Sequence, residues 1–397
     1  MAHSKPGYNT NYQKMFVVRK VLVDATEIFP ESVHGSVPIY IMRYLNAIPR
    51  EERENYTLLI LSKARKIFEE KFSDFKLLEF KQLANYGDVR FVPLRWLIRK
   101  IDTKRMVRII SKGHYDVFLC PTHLPFYGKS KIKCSKKLLV VHDLKELKES
   151  CSSILGAAML TFQTNMRAKH LESFDQIIAC SKFTKQDILD YFPQIHPEKV
   201  HVVYNSVKLA DTSVCPKKFN ESHYILYVNT LRRYKNIGTL VRAFIALKDK
   251  ISNNLVVVGK DYDYWTNEVY PMIVAAGIEH RVIRLKNISD EELRYLYEHA
   301  DLFVSTSLHE GFGYTPIEAA ICKCPVISTT QESLLDATQG LLDYYYPAMD
   351  DDALADKILD VLSNYPSQDE LEQISEKYKE AYAPNVQERA INELLLG

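Results

Sequence analysis

Ser307-Leu308-His309-Glu310-Gly311-Phe312-Gly313-Tyr314-Thr315-Pro316-Ile317-Glu318-Ala319 decides the reading of this chain. The apolar run Leu302, Phe303 and Val304 leads into it as a strand, and a helical pattern leads out of it. A loop that bares backbone N–H groups at a helix start is a cradle for anions. Two glycines let the backbone adopt torsions other residues avoid and let a ligand come close. Carboxylates at both ends, Glu310 and Glu318, would repel a bare phosphate but suit hydroxyls on either side of one. Read locally, Thr315, Pro316 and Glu318 also form T-P-x-E, a capping box with Thr315 at the N-cap. That box accounts for Glu318 alone, and leaves Glu310 and Gly311–Gly313 to be explained by a ligand.

Outward from this stretch, strand-like runs alternate with helical patterns along the chain, which predicts parallel α/β layers. In the first half the strands are expected at 20–24, 56–61, 116–119, 138–141, 175–179 and 200–203. Residues 211–221 are polar, contain Pro216 and read as a linker. A second series follows, with strands at 224–228, 254–258, 282–285, 301–304 and 325–328. The expected organisation is a polar extension over 1–16, a Rossmann-like domain over 17–210 and a second over 211–384. A last helix over 385–397 joins the first domain. The two domains would face each other across a cleft, and ligands of such sheets bind beyond the carboxyl ends of the strands.

Two further stretches open toward that cleft. Val228-Asn229-Thr230-Leu231-Arg232-Arg233-Tyr234-Lys235-Asn236 leaves a strand and carries three cations suited to a diphosphate. Val140-Val141-His142-Asp143-Leu144 places a polar pair at a strand end. Alone, the first is an ordinary cationic loop and the second a structural histidine.

With these motifs together, the chain resembles the retaining glycosyltransferases of the GT-B fold that carry a Glu-x7-Glu motif, the family four, group 1 type. Glu310 and Glu318 match that motif. Tyr227–Asn236 is similar to the family's G-x-L-x-x-x-K-N loop, and Leu138–Leu144 to its strand ending in His-Asp. Asp175–Ser181, Val202–Val207, Leu255–Lys260 and Ser289–Leu293 fit as well. The likeness runs from about Val21 to the tail.

The resemblance implies a nucleotide-diphosphate sugar, GDP- or UDP-linked, as co-substrate, with no cofactor and no metal. Glu318 would bind the ribose hydroxyls, with Gly311, Phe312, Gly313 and Tyr314 beside the diphosphate and Glu310 on the transferred sugar. Lys235 with Arg232 or Arg233 would hold the diphosphate, His142 the donor sugar, and Gly35 would lie near the acceptor or diphosphate. The acceptor would be a glycan or lipid-linked saccharide in cell-surface polysaccharide synthesis. A soluble sugar synthase, or a nucleotide-sugar-binding protein without activity, are the other readings. The chain departs from the pattern at several glycines: Gly35-Ser36-Val37 keeps one of two, and Asn229, Ser206, Lys286 and Lys323 stand where glycine is usual. Tyr234 replaces a frequent arginine, which points to Arg232 and Arg233 as substitutes. Asp261-Tyr262-Asp263 mimics a metal-binding D-x-D but follows a strand and reads as a loop.

Composition adds a partner. Residues 1–210 carry 34 Lys and Arg against 21 Asp and Glu, and the remainder 18 against 29, so a net charge of +2 hides +13 and −11. Residues 90–112 concentrate the positive charge, with Trp96, Leu97, Ile98, Ile101, Ile109 and Ile110 interleaved, and Lys129, Lys131, Lys133, Lys136 and Lys137 add to it. This fits a helix on an anionic membrane surface, or equally a solvated helix packed on the core. Nucleic acid is not an expected partner. Seven scattered cysteines and no apolar span indicate a cytoplasmic protein, peripheral on the inner membrane face.

Overall fold

In the computed structural model, which describes residues 19–32, 35–122, 132–148 and 154–396, the chain builds two parallel sheets. The first has seven strands: β1 (Val21–Asp24), β2 (Tyr56–Leu61), β3 (Lys76–Phe80), β4 (Val117–Cys120), β5 (Lys136–Val141), β6 (Gln176–Ala179) and β7 (Val200–Val202). The second has six: β8 (Tyr224–Val228), β9 (Asn254–Val258), β10 (Val282–Leu285), β11 (Leu302–Ser305), β12 (Val326–Thr329) and β13 (Asp343–Tyr345). Their orders are β3-β2-β1-β4-β5-β6-β7 and β10-β9-β8-β11-β12-β13. This is the GT-B arrangement of two Rossmann-like units. The expected extension over 1–16, Lys129, Lys131 and Cys151 lie outside the described residues.

Both faces of each sheet are covered, so the strands read as continuous apolar runs. Val21 and Val23 pack into one core while Leu22 packs into the opposite one, and Ile225 and Leu226 divide the same way in the second sheet. Two strands are absent from the expectation, β3 and β13, and each is a sheet edge. β3 has exposed Lys76 and Glu79, and β13 is Asp-Tyr-Tyr, so neither carries the apolar run of a central strand.

Each sheet reverses its strand order once, between β1 and β4 and between β8 and β11. The loops leaving the strands on either side of a reversal diverge and open a crevice. In the second sheet those loops are residues 229–235 and 306–313, the two stretches singled out above.

The halves are joined by irregular chain between β7 and β8 and by a crossing back at the end. Helix Pro384–Leu396 leaves the second half and packs on the first: Ile391 and Leu395 enter its core, and Asn392 Oδ1 accepts from Tyr44 and Tyr56. Tyr204 and the Lys182 backbone both donate to Asp336 across the interface.

Helix Val92–Lys112 presents an inverted face. Leu94, Trp96, Leu97 and Ile101 are exposed beside Lys100, Lys104 and Arg108, with Trp96 half exposed. Inward, the buried Asp102 accepts from the Leu83 backbone at 3.1 Å, from Tyr86 at 2.9 Å and from Arg105. Among the described residues, the later turns, through Met106, Val107, Ile109 and Ile110, are those that pack apolar side chains on the core. No helix among the described residues is long and apolar enough to cross a membrane.

Candidate active site

The loop after β8 is shaped by Asn236, which takes a left-handed torsion (φ 55°) and starts helix Ile237–Ala246. Asparagine tolerates that region better than most residues, and its amide is fixed on the Ala348 carbonyl at 3.0 Å. The carbonyl of Lys235 then accepts from Tyr227 at 2.9 Å and Thr306 at 3.0 Å. Its ammonium turns inward onto Glu310 Oε1, with only 8% of the residue exposed.

The loop after β11 is tied to the first loop by Leu308 N–H on the Tyr234 carbonyl at 2.9 Å. Glu310 is held by its backbone as well as its side chain. Its N–H donates to Glu332 Oε2 at 3.0 Å and its carbonyl accepts from Ser333 at 2.6 Å. Gly311 lies directly on the first half: a Cβ there would sit 2.2 Å from the His142 carbonyl oxygen. Gly313, at φ 92°, turns the chain into helix Tyr314–Ile321.

That left-handed turn starts the helix two residues earlier than the expected capping box. Gly313 is the N-cap, no side chain caps the helix, and Thr315 and Pro316 fall within its first turn. Glu318 is therefore no cap residue. Its carboxylate accepts from Arg43 of the first half at 3.4 Å and from Tyr297 at 3.3 Å. Burial pushes its pKa up, and Arg43 opposes the shift. Arg43 also donates to the Ser206 and Lys208 carbonyls and stands over the Tyr314 ring.

From the first half, His142 stands at the end of β5. Its Nε2 meets the Pro121 carbonyl at 2.9 Å, and a carbonyl only accepts, so that nitrogen carries the proton. The Tyr40 ring packs edge-on at 4.9 Å. Gly35 caps helix Ser36–Ala47 in ordinary extended geometry (φ −76°).

These residues surround a cleft of 370 Å³ between the halves, within the size range of ligand pockets. His142, Lys235, Glu310, Gly311, Phe312, Gly313, Tyr314 and Gly35 all line it. Arg232 and Arg233 do not. Arg232 lies on the Tyr262 ring and bonds its hydroxyl at 3.0 Å, while Arg233 pairs with Glu268 over the Tyr264 ring. Glu318 also stands outside the lining, one helical turn behind Tyr314. Asn229 takes no left-handed torsion; its amide donates to Glu310 instead. Lys323 does take one (φ 64°), at a position where glycine would be relaxed. Asp261 pairs with Arg284 and Lys286, as a loop anchor.

Several lining residues were not foreseen. Lys148 Nζ stands 2.7 Å from both Asp187 and Glu332. Glu332 also receives His309 Nδ1 at 2.9 Å and has a left-handed backbone (φ 51°). Lys145 places its ammonium 3.6 Å from the centre of the Tyr234 ring. Glu332 follows β12 just as Glu310 follows β11, so its place beyond a strand end was the one available signal.

Two family models divide the chain between them. That described as "Glycosyltransferase Family 4" matches residues 52–211, and that described as "Glycosyl transferases group 1" matches residues 213–379. The chain is 26% identical over 291 residues to the O-antigen chain mannosyltransferase RfbU of Salmonella typhimurium, covering 72% of this chain and 76% of that one. It is 26% identical over 281 residues to O-antigen chain mannosyltransferase B of Escherichia coli, covering 69% of this chain and 64%, just under two thirds, of that one. Among solved structures, Anabaena HepE in complex with UDP and glucose superimposes with a TM-score of 0.70 at 16% identity, over 95% of this chain and 99% of that one. That likeness is one of fold.

Proposed function

The chain belongs to the group 1 glycosyltransferases of family 4, and from that membership we propose that it moves a hexose from a nucleotide-diphosphate sugar to a glycan or lipid-linked acceptor, with retention of configuration. The observation that carries the reading is the juxtaposition of Lys235, Glu310 and Gly311–Gly313 at the strand-order reversal of the second sheet, closed over by His142 from the first. The two O-antigen relatives are named as mannosyltransferases, which favours mannose as the sugar and cell-surface polysaccharide as the product.

In this reading the second half holds the donor and the first half the acceptor. The acceptor hydroxyl attacks the anomeric carbon on the face from which the diphosphate leaves. The bond from that carbon to the β-phosphate oxygen breaks, the bond to the acceptor oxygen forms, and the acceptor proton passes to the departing phosphate. Lys235 and the Gly311–Gly313 backbone stabilise the charge that develops on the leaving group. Glu310, fixed on Lys235 and Asn229, receives hydroxyls of the transferred sugar, and His142 holds the same sugar from the opposite wall. Glu318 takes the ribose hydroxyls once Arg43 shares or releases it.

A thermal-shift series with GDP, UDP and their sugars tests the donor, because a ligand that binds only the folded state raises the melting temperature. GDP or UDP is expected to stabilise the protein, and nucleotide release from the matching sugar is expected to continue in EDTA. No shift with either nucleotide would remove the donor assignment, and loss of release in EDTA would remove metal independence.

The exposed face of helix Val92–Lys112 supports a second contact, with an anionic lipid surface on the cytoplasmic side. Apolar side chains there seat in the interface while Lys100, Lys104 and Arg108 meet headgroups. The protein is expected to sediment with phosphatidylcholine vesicles containing phosphatidylglycerol, less so in high salt, and Trp96→Ser with Leu97→Ser should weaken this. Equal sedimentation with neutral vesicles would exclude the electrostatic part.

A further inference from the structure

We propose that Lys145, delivered by the first half of the chain, is a diphosphate-binding residue of this cleft; the assignment rests on the nucleotide-sugar reading above. A nucleoside diphosphate needs more than one cation to offset its charge, and the cations that line the cleft are largely committed. Lys235 lies on Glu310, and Lys148 is shared by Asp187 and Glu332. The cationic loop after β8 contributes less than its sequence promises, since Arg232 and Arg233 are turned onto Tyr262, Tyr264 and Glu268.

Lys145 is different. It lines the cleft, and among the described residues no carboxylate pairs with it. Its ammonium rests instead on the face of Tyr234, 3.6 Å from the ring centre, an arrangement that holds a cation without cancelling its charge. Tyr234 is itself pinned, because its carbonyl accepts the Leu308 N–H and its neighbour Lys235 is buried on Glu310. The turn that carries Lys145 is fixed by its own N–H on Asp143 Oδ1 at 3.2 Å. A positioned positive charge therefore stands in the same cleft as the glycine-bracketed backbone, and it comes from the opposite half. Leaving-group stabilisation is complete only while the halves are closed on each other.

The test compares the parent protein with Lys145→Met, which keeps the length without the charge, and Lys145→Arg. Melting temperatures are read with GDP, GMP, UDP and UMP, and nucleotide release with GDP-mannose and UDP-glucose. Lys145→Met is expected to keep the parent's melting temperature without ligand and to lose the extra stabilisation by the diphosphate over the monophosphate. Its kcat/KM should fall by about 10²–10³, the usual cost of removing one electrostatic stabiliser of a developing anion, while Lys145→Arg keeps most of it. If Lys145→Met keeps the parent's kcat/KM and its preference for the diphosphate, the assignment falls and the nucleotide-sugar reading stands. A parent protein that neither releases nucleotide nor is stabilised by GDP or UDP overturns both.

Discussion

Gly311→Ala is expected to lower kcat/KM by about a hundredfold, the scale of loss when reacting groups are displaced by about 1 Å, while the protein stays folded. The added methyl would stand 2.2 Å from the His142 carbonyl oxygen and 3.0 Å from its carbonyl carbon. Both are backbone atoms, anchored at the end of β5 and unable to rotate aside. The loop and the strand end must separate, and Cys180, whose thiol donates to both the His142 and the Gly311 carbonyls, loses one of its acceptors. Neither sheet core contains Gly311, so circular dichroism and melting should change little. A variant as active as the parent would mean that this close approach is not required for turnover.

Lys235→Ala carries the other large effect, and it has two separable parts. Turnover should fall by about 10²–10³ through loss of the charge at the leaving group. Stability should fall too, because Glu310 keeps its largely buried carboxylate without a cation, with only the Asn229 amide at 3.4 Å described as donating to it. Breaking such a pair from one side costs about 3–5 kcal/mol when it is fully buried, and the side chains here are 10% and 16% exposed. Lys235→Met combined with Glu310→Gln removes both charges and should recover much of the melting temperature without recovering turnover. Recovery of both together would mean that Lys235 serves the fold alone.

How far the sequence carried depends on the kind of residue. The central strands announced themselves because both faces of each sheet are covered, and Tyr224–Val228 or Leu302–Ser305 can be little else. The edge strands β3 and β13 were silent, since an edge needs no unbroken apolar run. The loops after β8 and β11 were legible through their glycines, carboxylates and cations. Side-chain direction was not. Arg232 and Arg233 looked like diphosphate ligands until Tyr262, Tyr264 and Glu268 took them, and those partners lie about 30 residues away. The T-P-x-E pattern suggested a cap at Thr315, but the left-handed Gly313 begins the helix first. Lys148 and Glu332 are 184 residues apart, and only folding brings them together.

The returning helix Pro384–Leu396 sets the order of events during synthesis. The first half leaves the ribosome with its strands, Tyr44 and Tyr56 in place, but two side chains of that core, Ile391 and Leu395, are made only after the second half. Domains generally fold as units as they emerge, and the second half can do so here because its two cores are complete once Tyr382 is made. The first half lacks those two core side chains until the second has been translated, so the half that is born first is finished second.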